Sequence, residues 1–351
     1  MKTGVWIILG VIGFFSILPM ATANADDPAG YEFSIKTSGV NEKLLEYLPK
    51  YAEYGFILYL YVDRGHIGKP LFKEVLLQAE KLNLRVKLCP GLSPALGGPF
   101  PNEENIGEFE KLVHEILDYT ESINKVVTTV VLNIETGPPK DKLLQDAVAA
   151  WDIKRLAQMA AENINRVQYS ESTKKIEALI QKVRNRGYEV QITTFPLLLD
   201  DLADGDSDLQ DLFNIPMENI SWDTRAFCAY STEYGTLGGF PISPYFVYTY
   251  SLSALKHYGE NTWIALGLIR YNNRGYSSPD QLAADIAAAK AAGIKKIDLF
   301  FFPGMTGYPQ YTFDDWAKTT RVDPKPPKFN PAILGVRTGM VLADFLLNFI
   351  E

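Results

Sequence analysis

The sequence predicts an α/β chain folded as one (β/α)8 TIM barrel, on three observations. Eight short apolar runs alternate with amphipathic segments from Tyr31 onward. The runs are apolar almost throughout rather than at every second residue, the pattern of strands buried on both faces under helices. No glycine-rich phosphate loop follows the first run, which disfavours an open doubly wound sheet. The bulk numbers agree: 351 residues, 47% hydrophobic and 22% charged, suit a globular domain.

The predicted strands are YEFSIK (31–36), FILYLYV (56–62), LRVKLC (84–89), VVTTVVLNIE (126–135), YEVQITTF (188–195), RAFCAYS (225–231), TWIALGLI (262–269) and KKIDLFFF (295–302). Segments 42–54, 70–82, 107–123 and 278–293 carry apolar residues at helical spacing. The last opens on Ser278-Pro279-Asp280 and stops at Gly293, a start and stop of the expected chemistry. Residues 141–186 hold two more helical stretches. No shift in composition marks an internal boundary, so residues 26–322 read as one barrel domain. A Pro-rich spacer, DPKPPKFNP (323–331), leads to residues 332–351, an amphipathic helix expected to pack on the barrel. Gly335 and Gly339 have the spacing of membrane-helix pairs, but Arg337 and Asp344 in the same segment argue against a span.

Residues 1–25 read as a signal peptide. Lys2 supplies the charged start, Val5 to Leu18 the apolar stretch, and Ala23-Asn24-Ala25 the small-residue cleavage pattern. The expectation is a secreted or periplasmic protein with no stable membrane insertion after cleavage. Loss of Lys2 takes the formal net charge from −8 to −9. An acidic chain without a Lys/Arg cluster argues against nucleic acid and anionic membranes as partners. Cys89 and Cys228, the only cysteines, sit in apolar strand runs and read as two buried thiols.

No metal and no cofactor are expected. Asp204, Asp206 and Asp208 have calcium-loop spacing, but the sixth position lacks glycine and the twelfth is Ile215 instead of glutamate. His66, His114 and His257 share no ligand spacing.

Barrels of this kind carry their chemistry at the carboxyl ends of the strands. In VVLNIETG (130–137), Asn133 and Glu135 are two residues apart and so share a face, expected to point into the barrel mouth. A carboxylate there needs a partner, a proton or a solvated pocket. Other strand ends bring Asp63, Tyr230, Glu233, Arg270, Tyr271 and Phe302, and Asp223 is a further acidic candidate. Aromatic rings and carboxyl groups on one rim suit a sugar, whose C–H faces stack while its hydroxyls take hydrogen bonds.

On these residues the chain resembles the family 18 glycoside hydrolases, the chitinase-like barrels. VVLNIE resembles their fourth-strand Asp-x-x-Asp-x-Asp-x-Glu, and CAYS (228–231) their sixth-strand Met-x-Tyr-Asp. IALGLIRYNNRG (264–275) resembles their seventh strand and LRVKLCPGLS (84–93) their third, in the same order over residues 31–305. The resemblance implies Glu135 as general acid, with the substrate's own acetamido oxygen as nucleophile. It also implies Tyr230 as the acetamido partner, Tyr271 as a sugar-contacting aromatic and Phe302 in place of the tryptophan floor. The signature aspartates fall on Thr128, Val131 and Asn133, and that of the sixth strand on Ser231. Losing such preorganised charge costs on the order of 10²–10³ in rate, so standard chitinase activity is not expected.

Two functions remain open from sequence. One is a secreted glycoside hydrolase-like enzyme acting on an oligosaccharide or polysaccharide, with Glu135 as the acid and a second carboxylate from Asp63, Asp223 or Glu233. The other is an inactive barrel that binds glycan or protein.

Overall fold

The computed structural model describes residues 30–124, 126–134, 166–202, 210, 213, 215–232, 236–237, 240–242, 244–269, 275–307 and 309–347. Eight parallel strands close into a ring. They are β1 (Glu32–Lys36), β2 (Ile57–Val62), β3 (Val86–Pro90), β4 (Val127–Asn133), β5 (Glu189–Thr194), β6 (Thr224–Cys228), β7 (Thr262–Gly267) and β8 (Lys296–Phe300). Each pairs with its sequence neighbours, and β8 closes on β1 from Glu32↔Lys296 to Lys36↔Phe300. The (β/α)8 TIM barrel read from sequence is therefore the observed architecture. A short antiparallel pair, Thr236–Leu237 with Phe240–Pro241, is an addition after β6 that no sequence signal announced.

The helices outside the ring are α1 (Glu42–Tyr54), α2 (Pro70–Lys81), α3 (Ile106–Ile123), α4 (Arg166–Asn185), α5 (Leu198–Asp201), α6 (Pro244–Tyr258), α7 (Pro279–Ala291), α8 (Phe302–Thr306), α9 (Phe313–Lys318) and α10 (Pro331–Leu347). Local chemistry sets their ends. Asn41 caps α1 by accepting from Leu44 N at 2.9 Å, and Gly55 ends it in the left-handed region at φ 70°. The face of α1 so fixed buries Leu44, Leu48 and Tyr51. Each such side chain contributes roughly 1.5–3 kcal/mol on burial.

Alternation along the strands separates two cores. Val130 and Leu132 of β4, with Leu58, Leu60, Leu88, Ile192 and Leu299, pack outward under the helices. The other phase fills the ring. Ile57, Ala226 and Trp263 form its lower cluster, at the amino-terminal ends of the strands. Tyr59, Cys89, Val131, Cys228, Tyr230, Ala265 and Phe300 form its upper cluster. Both cysteines are buried thiols there, with no disulfide between them.

The C-terminal α10 buries Ile333, Val336 and Met340. Arg337 fixes it, with Nη2 at 2.6 Å from Asp200 Oδ1 and a bond from Nη2 to Ser253 Oγ at 2.8 Å. Tyr250 donates its hydroxyl to the other Asp200 oxygen at 2.5 Å, so the buried carboxylate is partnered on both sides. Among the described residues no helix is long and apolar enough to cross a membrane.

Candidate functional site

The carboxyl-terminal mouth of the ring is lined from β1, β2, β4, β6 and β8. Ser34 faces inward, so Lys36, two residues on, does too. Its ammonium lies 4.6 Å from the Phe300 ring centroid, 5.4 Å from Tyr59 and 5.5 Å from Phe100. Among the described residues it has no hydrogen bond and no ion pair. Tyr59 points its hydroxyl at Asn133 Oδ1, 3.5 Å away, and Tyr230 packs its ring on Phe300 at 5.3 Å. Gly267 makes room for this wall, because a Cβ there would sit 2.8 Å from Phe300 Cβ and 3.2 Å from Tyr230 Cε1. Phe100 arrives on the β3–α3 loop, whose backbone is pinned from below. The buried Asn105 amide donates to Phe100 O at 2.8 Å, and Asn105 Oδ1 accepts from Asn102 N at 2.8 Å.

Burial pushes the Tyr61 hydroxyl up to about 12, with the nearby Cys89 and Asp63 adding to it. Tyr59, fully buried, is raised further for the same first reason. Both phenols therefore stay protonated at neutral pH; the wholly buried Tyr59 turns its hydroxyl to Asn133, while Tyr61 is half-buried. The site thus offers the Tyr61 phenol, aromatic rings and one ammonium, over a buried layer that holds Tyr59 and Asn133. That set can hold a polyhydroxylated ligand by stacking and hydrogen bonding.

The sequence-predicted residues divide into three groups. Asn133 and Tyr230 are brought together in the upper part of the ring, and Asp63 follows β2 on the same rim. Asp63 Oδ1 lies 2.8 Å from His66 Nδ1, which ties it to its own turn. Two expectations are corrected. Asp223 precedes β6 and so belongs to the opposite, amino-terminal end of the barrel. There it is gripped by Arg184 at 3.0 Å and accepts from Val190 N at 2.8 Å. Phe302 points outward into the sheet–helix core, 5.5 Å from the Tyr47 ring and 6.2 Å from Tyr51. The aromatic that β8 gives to the mouth is Phe300. Glu135, Glu233, Arg270 and Tyr271 lie outside the described residues.

Three features were missed by sequence reading. Lys36 is the first. The second is a buried polar network across the middle of the ring. Lys87 Nζ donates to Asp298 Oδ1 at 2.9 Å and to Gln191 Oε1 at 3.0 Å, Gln191 Nε2 donates to Asp298 Oδ2 at 3.0 Å, and Ser34 Oγ donates to Asp298 Oδ1. The ammonium also lies 3.0 Å from the Trp263 ring centroid. Burial pushes Lys87 down to about 8 despite the opposing pull of Asp298. Below it, a cavity of about 780 Å³ opens at the amino-terminal end, lined by Trp263, Asp223, Glu32 and Lys296 among others. A lone lysine inside each of two apolar strands was the available signal.

The third feature stands behind the sixth strand. The Ser231 hydroxyl donates to Asp285 of α7. Tyr276 donates to the same oxygen at 2.5 Å. Burial raises the Asp285 carboxyl to about 6, against the pull of these two hydroxyls. A carboxylate from the helix layer thus stands beside Ser231. Val131 packs among apolar side chains, and Thr128 lies low on β4, exposed and lining the amino-terminal cavity.

No protein-family model matches the sequence, and no curated protein matches it either. Solved structures do match. The PgaB (BpsB) glycoside hydrolase domain from Bordetella bronchiseptica aligns with TM-score 0.51 and 11% identity, over 82% of this chain and 98% of that one. A class V chitinase from Pseudomonas fluorescens Pf-5 aligns with TM-score 0.52 and 10% identity, over 83% and 98%. A sugar phosphate isomerase/epimerase from Parabacteroides distasonis aligns at 0.44 and 14%, over 86% and 96%. At these identities the likeness to the first two is one of fold: this chain builds the same kind of barrel as those glycoside hydrolases.

Proposed function

We propose that the chain is a glycoside hydrolase-like protein that takes a glycan into the carboxyl-terminal mouth of its barrel, with Glu135 as general acid. One observation carries the reading. Asn133 and Tyr230, matched by sequence to the amide-orienting and acetamido-binding positions of chitinase-like barrels, face one aromatic-walled mouth with Tyr59 and Phe300. Glu135 follows Asn133 by two residues, the spacing of the last two acidic positions in that signature. Protonation of a glycosidic oxygen is the step such a carboxyl group would perform. The chain would act outside the cytoplasm, released from residues 1–25.

A second reading, binding without turnover, is favoured by Val131. An apolar side chain stands where a chitinase-like barrel carries a charge that stabilises the intermediate. Incubating the mature protein and its Glu135→Gln variant with a panel of N-acetylated and neutral oligosaccharides separates the two. The hydrolase reading expects products from the wild type, and at least a hundredfold loss in the variant with glycan affinity and fold kept. Undiminished turnover in the variant removes Glu135 from the mechanism, and saturable binding without products supports the binder.

A further inference from the structure

We infer that the glycan taken by this mouth is anionic, bearing carboxylate or sulfate groups, and that Lys36 is the residue that selects it. The inference rests on the glycan reading above and adds the charge of the ligand. Three observations lead to it.

First, Lys36 ends β1 inside the mouth, half-buried, with its ammonium facing the rings of Phe300, Tyr59 and Phe100. Ring faces attract a cation but accept no conventional hydrogen bond, and an ammonium carries three donors. Among the described residues no side chain or carbonyl accepts from it. The other lysine inside the ring differs in this respect. Lys87 is met by Asp298 and Gln191, a fully assembled pair. The contrast separates a structural cation from one whose donors point to a ligand.

Second, the acidic positions that would balance a positive charge here are occupied by Val131 and Asn133, both without charge. The described wall thus carries the Lys36 ammonium and, at these two positions, no negative charge. A neutral sugar offers that ammonium only hydroxyl acceptors, whereas a uronate or sulfate oxygen gains a shorter, stronger bond between opposite charges.

Third, this charge bears on chemistry. Glycoside cleavage develops positive charge at the anomeric carbon. A bare ammonium in the same mouth opposes it, and an anionic substituent held on Lys36 cancels that opposition. An acidic glycan would therefore restore part of the electrostatics that the missing aspartates removed.

The test is titration calorimetry of the mature protein with length-matched neutral, uronate-bearing and sulfated oligosaccharides, each at low and high sodium chloride. The uronate or the sulfated set, or both, is expected to bind roughly tenfold tighter than the neutral set. Which of them does so identifies the charged group. That advantage should shrink at high salt, where screening shortens the reach of the charge. Lys36→Met should collapse the anionic-to-neutral ratio to near one, and Lys36→Arg should keep it. Melting curves of both variants confirm the fold. Equal affinity of wild type for neutral and anionic sets, or an equal loss for both in Lys36→Met, overturns the inference and leaves the glycan reading standing. Absence of binding to every sugar overturns both.

Discussion

Removing the Asp298 carboxylate would leave the Lys87 ammonium buried against Trp263 with Gln191 as its remaining acceptor. An uncompensated buried charge of this kind costs about 3–5 kcal/mol, so Asp298→Ala should lower the urea midpoint by that equivalent. The double variant Lys87→Met/Asp298→Leu should recover much of the loss, because the pair itself is worth little against apolar packing. Asp285 gives the pH-dependent counterpart. Its folded-state value of about 6 lies above the ordinary 3.8, so between those values the native protein binds more protons than the unfolded chain. Stability therefore falls as pH rises through that window. Asp285→Asn, whose carbonyl can still accept from Ser231 and Tyr276, should lack the fall, with a pH-dependent difference on the order of 3 kcal/mol in denaturation. At this scale the sequence was partly opaque. Asp298, Phe300 and Phe302 share one phase of KKIDLFFF, so alternation alone sends both aromatics inward; Phe302 turns away because the strand ends at Phe300 and α8 begins at Phe302. A lysine in a strand reads as surface until a ring of partners is seen around it.

Gly267 illustrates how a strand end is shaped by what it omits. Alanine there would press on Phe300 Cβ, on Phe300 O at 3.0 Å and on the Tyr230 ring, with little freedom to move inside a closed ring. Gly267→Ala should cost about 1–3 kcal/mol in urea denaturation and weaken glycan binding by displacing the aromatic wall. Among whole elements, all eight strands were legible, because apolar runs bounded by turns leave few alternatives. The direction of each strand was legible too, yet Asp223 was placed at the wrong end. It stands one residue before β6, and proximity to a strand was read without asking which end. The β3–α3 loop that carries Phe100 gave no periodic signal. Its order comes from side-chain amides, Asn102 and Asn105, bonding loop carbonyls, and no hydrophobic pattern reports such bonds.

For the molecule as a whole, fold and function separate cleanly. The ring is held by two concentric cores and shares its architecture with sugar-processing barrels at 10–11% identity, which shows how little of the sequence the architecture demands. The described residues of the proposed site sit at a few positions near the mouth: Lys36, Tyr59, Asn133, Tyr230 and Phe300. Such positions are few and scattered through the chain, so a search of sequence families has little to grip, while a shape comparison finds the barrel at once.

The closure of β1 on β8 has a consequence in time. Ser34 and its acceptor Asp298 are 264 residues apart. During synthesis the opening strand keeps one hydrogen-bonding edge bare until the last strand emerges. The cylinder is completed late and all at once.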